Sequence, residues 1–146
     1  MTDYFRPEVD KDKKFLYVPD QVLCTKGKPW GNHYWEADWD ISNTVKIAVA
    51  CEDIKRRSYE NSEFGKNNKS WSLDCCSSSG FRFSHDNKTI RIDGPITSRV
   101  GVYLDRSAKS LSFYGIYDQK ATLLHRVTVD KTYHLYPGFL GKYKIC

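Results

Sequence analysis

Short stretches of strict period-two alternation, repeated along the chain and separated by turn-forming residues, constrain this sequence more than any other feature. His33, Trp35, Ala37 and Trp39 fall on one side of an extended segment, and Tyr34, Glu36 and Asp38 on the other. Val45, Ile47 and Val49 repeat the pattern against Lys46, Ala48 and Ala50, as do Val100, Val102 and Leu104 against Gly101, Tyr103 and Asp105. A strand with one apolar face must lay that face on a second layer, so Trp35 and Ala37 are expected to point inward. Further β-prone runs lie at Ser70 to Leu73, Phe81 to Ser84, Thr89 to Ile92, Leu111 to Phe113, Thr122 to Val127, His134 to Tyr136 and Tyr143 to Cys146. Strands at this spacing predict an all-β fold, a sandwich or barrel, with no room for long helices.

The connections support that reading. Arg106-Ser107-Ala108-Lys109 is short and polar, as a hairpin loop between antiparallel strands should be. One helical turn is plausible, Asp53 to Ser58, with Asp53 as its cap. Tyr59 to Lys69, rich in Asn, Ser, Lys and Glu, has almost nothing to bury and is expected to be a surface loop. Met1 to Asp20 is polar and charged, and within it only Phe15 to Val18 looks capable of pairing as a strand.

The 146 residues suit one compact domain. No apolar run approaches the roughly 20 residues of a membrane-spanning helix, and Met1 to Phe15 lacks the pattern of a secretory signal, so a cytoplasmic location is expected. The net charge of +5 is scattered among eighteen acids, which points to solubility rather than nucleic-acid binding.

No catalytic or cofactor-binding constellation emerges. The five cysteines, Cys24, Cys51, Cys75, Cys76 and Cys146, form no C-x-x-C pair and are expected to be free thiols; the adjacent Cys75 and Cys76 could form a redox switch, but buried strand thiols are the commoner reading. His33, His85, His125 and His134 are isolated and have no metal-ligand spacing. Ser77-Ser78-Ser79-Gly80 lacks the G-x-S-x-G elbow, and Lys26-Gly27-Lys28-Pro29 lacks the spacing of a phosphate-binding loop. Glu36 and Asp38 share a strand face but read as surface acids beside basic neighbours. Asn68-Lys69-Ser70 and Asn87-Lys88-Thr89 match the glycosylation pattern, which matters only for a secreted chain. No enzyme, cofactor or metal site is therefore expected.

Five ordered strings resemble the PRY-SPRY family. Gly31-Asn32-His33-Tyr34-Trp35-Glu36-Ala37-Asp38 is similar to its G-x-H-Y-W-E-V-E motif, and Leu104-Asp105-Arg106-Ser107 to its L-D-Y-E motif. Ser70-Trp71-Ser72-Leu73, Arg99-Val100-Gly101-Val102-Tyr103 with Leu111-Ser112-Phe113-Tyr114, and Leu135-Tyr136-Pro137-Gly138-Phe139 lie between and after these in the family's order. The spelling is nearest to the domains of fish TRIM proteins and NLR-type receptors, and to those ending stonefish-type toxin subunits. The resemblance implies a bent sandwich of two antiparallel sheets, of concanavalin-like jelly-roll type, over residues 21–146, with Trp35 and Trp71 largely buried. Residues 1–20 stand as a truncated or diverged PRY-like segment, since the opening L-D-P signature is absent.

Such domains recognise other proteins through variable loops, which implies a protein ligand, such as a pathogen or immune component, for a domain that is monomeric in isolation. An innate-immune TRIM or NLR-type parent is the leading reading; a pore-forming toxin, or a butyrophilin-like domain binding a phosphorylated metabolite, is the alternative. Lys46, Arg82 and His85 lie near the butyrophilin basic pocket, but the full basic set is missing. Antibody-binding relatives carry tryptophans where this chain has Asp74 and Cys76, which argues against that ligand. Motif alignment places the binding surface at the loops around Tyr59 to Lys69 and Cys76 to Lys88 and the segment after Phe139. Phe81, Phe83 and Phe139 are its expected anchors, with Asp74, Cys76, Arg82 and His85 around them. The competing expectation for the three phenylalanines is that they pack the core.

Overall fold

The structure is a computed structural model and describes residues 3–4, 16–24, 32–52, 54, 62–129 and 134–145. Eleven strands account for most of these: β1 (Asp3–Tyr4), β2 (Leu16–Leu23), β3 (His33–Trp39), β4 (Val45–Cys51), β5 (Ser70–Cys76), β6 (Gly80–His85), β7 (Lys88–Ile92), β8 (Arg99–Asp105), β9 (Ser110–Tyr117), β10 (Lys120–Thr128) and β11 (Leu135–Ile145). No α-helix occurs among the described residues. Most of the proposed helical turn, Asp53 to Ser58, lies outside them.

Hydrogen bonding runs in the order β10-β9-β8-β3-β11-β4-β5-β6-β7, with β1 added to β3 and β2 to β11. All pairings are antiparallel except the short β1–β3 ladder. The two expected sheets are thus two layers of one curved sheet, joined through β11. Its first half pairs with β4 from Leu135 to Leu140, and its end pairs with β3 from Tyr143 to Ile145. Gly141 stands at the crossing with φ +103°, and a Cβ there would sit 2.7 Å from the Thr44 carbonyl oxygen, so only glycine lets the strand change layers at this point. The runs expected at His134 to Tyr136 and Tyr143 to Cys146, separate by sequence pattern, belong to one strand from Leu135 to Ile145, because Pro137 sits in a ladder with Val49 without interrupting it.

The layers close over a core whose residues come from the alternating positions. Trp35, Ala37 and Trp39 of β3 are buried, as is His33. Trp71 of β5 is buried as expected. Trp39 meets Phe81 edge-on across the layers with ring centroids 6.3 Å apart, and Phe83 meets Phe113 at 6.0 Å. Each large side chain taken out of water contributes about 1.5–3 kcal/mol, so this aromatic seam adds several kcal/mol to the packing of the two layers. The hairpin loop Arg106 to Lys109 forms as expected, with Asp105 Oδ1 accepting from Ser107 Oγ at 2.8 Å and from the Ala108 amide at 3.0 Å. The N-terminal stretch supplies strands: β2 begins at Leu16 and runs on through Asp20 to Leu23 against β11.

Candidate functional site

Strands β4 to β7 place their side chains in cross-strand rows. One row on the outer face runs Lys46, Asp74, Arg82 and Arg91; the next runs Ala48, Ser72, Ser84 and Thr89. The opposite side of the same strands carries Val45, Cys75, Phe81 and Ile92, and then Ile47, Leu73, Phe83 and Ile90, facing the other layer. The face of each residue follows from the period of two, and the register fixes which neighbours it meets.

Asp74 is the hub of the outer face. Its Oδ1 accepts from Ser72 Oγ at 2.7 Å and its Oδ2 from Ser84 Oγ at 2.9 Å, while Ser84 Oγ lies 2.9 Å from Thr89 Oγ1. Lys46 Nζ is 3.9 Å from both Asp74 and Glu63 and donates to the Phe64 carbonyl at 3.0 Å. That lysine ties the 62–69 segment to the sheet. The segment is otherwise unlike the empty surface loop expected of Tyr59 to Lys69. Phe64, Asn67 and Lys69 are buried; the Gly65 amide donates to Ser70 Oγ at 2.8 Å, and the amides of Asp86 and Asn87 donate to its carbonyls at Asn67 and Gly65. Residues 59–61 lie outside the described region.

The seven residues proposed as a binding surface divide. Asp74 and Arg82 are directly opposite one another on adjacent strands of the outer face. His85 closes the same hairpin at the 62–69 end, where its ring stacks on Trp71 at 4.7 Å and its Nδ1–H donates to the Ser70 carbonyl at 2.7 Å. Cys76 lies at the other end, opposite Gly80, about 17 Å away along the strand. Phe81, Phe83 and Phe139 do not serve as exposed anchors in this arrangement: they are 1%, 6% and 0% exposed. Phe139 stacks on Tyr143 at 4.1 Å inside β11, so the segment after it is strand rather than loop. The core reading of the phenylalanines therefore holds, because Trp39 and Phe113 arrive from the other layer to cover Phe81 and Phe83.

Cys76 is a half-buried thiol 3.3 Å from Ser78 Oγ; hydrogen bonds from Ser78 and Ser79 lower its pKa to about 6. Cys75, one residue earlier, faces the core, and burial pushes its thiol up. Cys24, Cys51, Cys75 and Cys76 form no disulfide among the described residues. Among the described residues no group of three or more His, Cys, Asp or Glu is placed to hold a metal ion, and no helix is long and apolar enough to cross a membrane.

The reading of sequence motifs missed two features. Arg91 is exposed directly opposite Arg82, which only the β6–β7 register reveals. A cleft of about 570 Å³ on the other layer is lined by Tyr34, Glu36, Asp38, Arg99, Tyr117 and Asp118. Inside it Arg99 grips Asp38 through Nε at 2.8 Å and Nη2 at 3.2 Å, so the acids of β3 are paired surface groups.

Among the described residues the domain is an all-β double layer whose outer face carries rows of polar and charged side chains. The chain belongs to the SPRY domain family, whose model matches residues 32–146. It is 39% identical over 134 residues to the stonustoxin subunit beta of Synanceia horrida, covering 90% of this chain and 19% of that protein. It is 36% identical over 106 residues to the probable E3 ubiquitin-protein ligase MID2 of Mus musculus, covering 72% of this chain and 14% of the other. The crystal structure of the TRIM65 PSpry domain superposes with a TM-score of 0.74 at 25% identity, covering 86% of this chain and 68% of that one. The chain thus spans about a fifth or less of the length of the two proteins, toxin subunit and ligase, that it resembles.

Proposed function

We infer that this domain is a non-catalytic, monomeric module that recognises a protein partner for a larger cytoplasmic protein of TRIM or NLR type. The observation that carries the reading is the outer-face row Lys46, Asp74, Arg82 and Arg91. It is a line of charged side chains at strand spacing, about 5 Å apart, on a rigid aromatic core. Charges arrayed at this spacing select partners by complementarity. Residues 21–146 form the recognition unit in this reading, preceded by a PRY-like segment in residues 1–20.

The similarity to a toxin beta subunit over 90% of the chain favours one second reading, the terminal module of a pore-forming protein. The domains encoded upstream discriminate: RING, B-box and coiled-coil segments support a ligase, a nucleotide-binding core a sensor, and a pore-forming module a toxin.

The test is cross-linking and affinity capture from host cells with the wild-type domain, Asp74→Ala, Arg82→Ala and, as a control on the other layer, Asp118→Ala. Each variant is first shown to melt as the wild type does. The expected result is one partner lost by Arg82→Ala and kept by Asp118→Ala. Equal capture by all variants would remove the outer face from consideration, and turnover of a substrate that survives repurification would overturn the non-catalytic reading.

A further inference from the structure

Arg82 and Arg91 are directly opposite each other on β6 and β7, and both are exposed. Like charges at directly opposite positions repel, and the usual remedy is a carboxylate nearby. The nearest candidate by register is Asp74, opposite Arg82 on its other side. Its two oxygens are turned to Ser72 and Ser84 instead, and its ion-pair distance of 3.9 Å is to Lys46. Neither guanidinium makes an ion pair or hydrogen bond to another described residue.

The second observation is the position of β7. It ends the strand order, so among the described residues no strand pairs with its outer side. It also carries an exposed apolar side chain, Ile90, at 47%, pointing to the inner side of the layer beside Phe83. Unlike β10, the strand at the other end of the order, its ladder has no register shift. A straight open edge with a basic outer side and an apolar inner side is a template for one kind of segment. Charged side chains at a sheet edge also keep copies of a protein apart. That role would account for Lys88 and Arg91 but not for Arg82, which is one strand in from the edge.

We propose that the free edge of β7 takes up an extended acidic segment of a protein partner, which adds as a further strand and places a carboxylate beside Arg91, at the end of the row that begins with Arg82. Alternation then sets the sequence the segment needs: an acid where it faces Arg91, and an apolar residue where it faces Ile90. The Arg91 guanidinium gives the carboxylate a charge-assisted hydrogen bond with a defined direction, Arg82 one strand further in adds to the positive field, and the ladder to β7 supplies sequence-independent affinity. This proposal rests on the protein-recognition reading above.

The probe is a fluorescein-labelled octapeptide alternating glutamate and valine, titrated with the whole domain and followed by anisotropy. Controls are the lysine-valine counterpart, a glutamate-valine peptide N-methylated at alternate residues, and an oligothymidylate of the same length. The expected result is saturable binding of the first peptide, weakened at least about tenfold by R82Q/R91Q and by N-methylation, and no binding of the lysine peptide. N-methylation alters the probe alone, so that arm stands even if the double variant melts early. Equal binding by wild type and a folded R82Q/R91Q, indifference to N-methylation, or no saturation would overturn the proposal; tighter binding of the oligothymidylate would do so in favour of nucleic acid. If the peptide fails while a captured partner still depends on Arg82, the recognition reading survives and only the edge is wrong. If no partner is captured at all, the recognition reading itself falls.

Discussion

The tip of the Phe64 ring presses on the backbone of Gly138: a Cβ built on that glycine would stand 2.5 Å from Phe64 Cζ. Phe64 is 1% exposed although it belongs to a polar connecting segment. It covers the outer side of β11 where β4 pairs with it, and Lys46 fastens the same segment by its bond to the Phe64 carbonyl. Glycine at 138 is therefore required by the close approach of an aromatic ring, and the pair acts as a single latch.

Gly138→Ala should cost about 1–3 kcal/mol, the usual penalty for overpacking, and Phe64→Ala about 3–5 kcal/mol by leaving a cavity. In the double variant the alanine methyl has room, so the two losses should fall short of additive. Urea denaturation of the four proteins checks this. Strict additivity would mean that the ring and the glycine do not meet.

Arg99 and Asp38 make the best-formed ion pair on the opposite layer, with two hydrogen bonds and Lys144 3.7 Å from the second oxygen. The Arg99 side chain is 43% exposed, so water discounts the attraction. Arg99→Met should cost about 1 kcal/mol in chemical denaturation, and Arg99→Lys somewhat less, because a lysine keeps the charge but loses the fork.

Much of this fold was legible because its strands alternate strictly and stand on a two-layer core. His33 to Trp39 begins and ends where the pattern does, and the Arg106 to Lys109 loop closes the hairpin its polarity implied. What local spacing could not show were contacts made from far along the chain. Phe81 and Phe83 alternate with Arg82 whether they face a partner or a core. Only the arrival of Trp39 and Phe113 from the other layer decides it.

The same limit explains the candidate site. Motif alignment places Arg82 with Asp74 near the expected surface, but its meeting with Arg91 depends on a two-residue turn at Asp86 and Asn87. Both turn residues have positive φ, of 53° and 61°, which sets a tight hairpin and hence the register. The 62–69 segment departed from its composition because one aromatic residue among many polar ones was enough to bury it. The adjacent pair Phe64-Gly65 was the available signal: Gly65, at φ +87°, lets the chain press against Ser84.

Cys76 should be the first of the described thiols to react. With its pKa lowered to about 6 by Ser78 and Ser79, it is mostly thiolate at neutral pH, whereas Cys24, Cys51 and Cys75 are buried. In a Cys146→Ser background, iodoacetamide at pH 7.5 should label Cys76 before the others, with a rate that falls as the pH drops through about 6. Ser78→Ala removes the leading hydrogen bond and should move that midpoint upward. Mass spectrometry of the labelled peptides gives both results.

His125 should make stability sensitive to mild acid. Its ring lies 4.4 Å from that of Phe83, and burial, which penalises the charged imidazolium, lowers its pKa from the ordinary 6.5. The sign comes from linkage: a histidine depressed in the folded state binds its proton more readily when unfolded. Acid therefore favours unfolding, and the contribution is intact above the unfolded pKa. It begins to fall as the pH drops below about 6.5 and is fully lost below the folded value. Melting temperatures from pH 8 to pH 5 should decline over that window in the wild type, and the decline should be smaller in His125→Phe, which keeps the aromatic contact without a titrating group. A His125 ring titration by NMR with a midpoint at or above 6.5 would contradict the buried environment and remove this residue as the source.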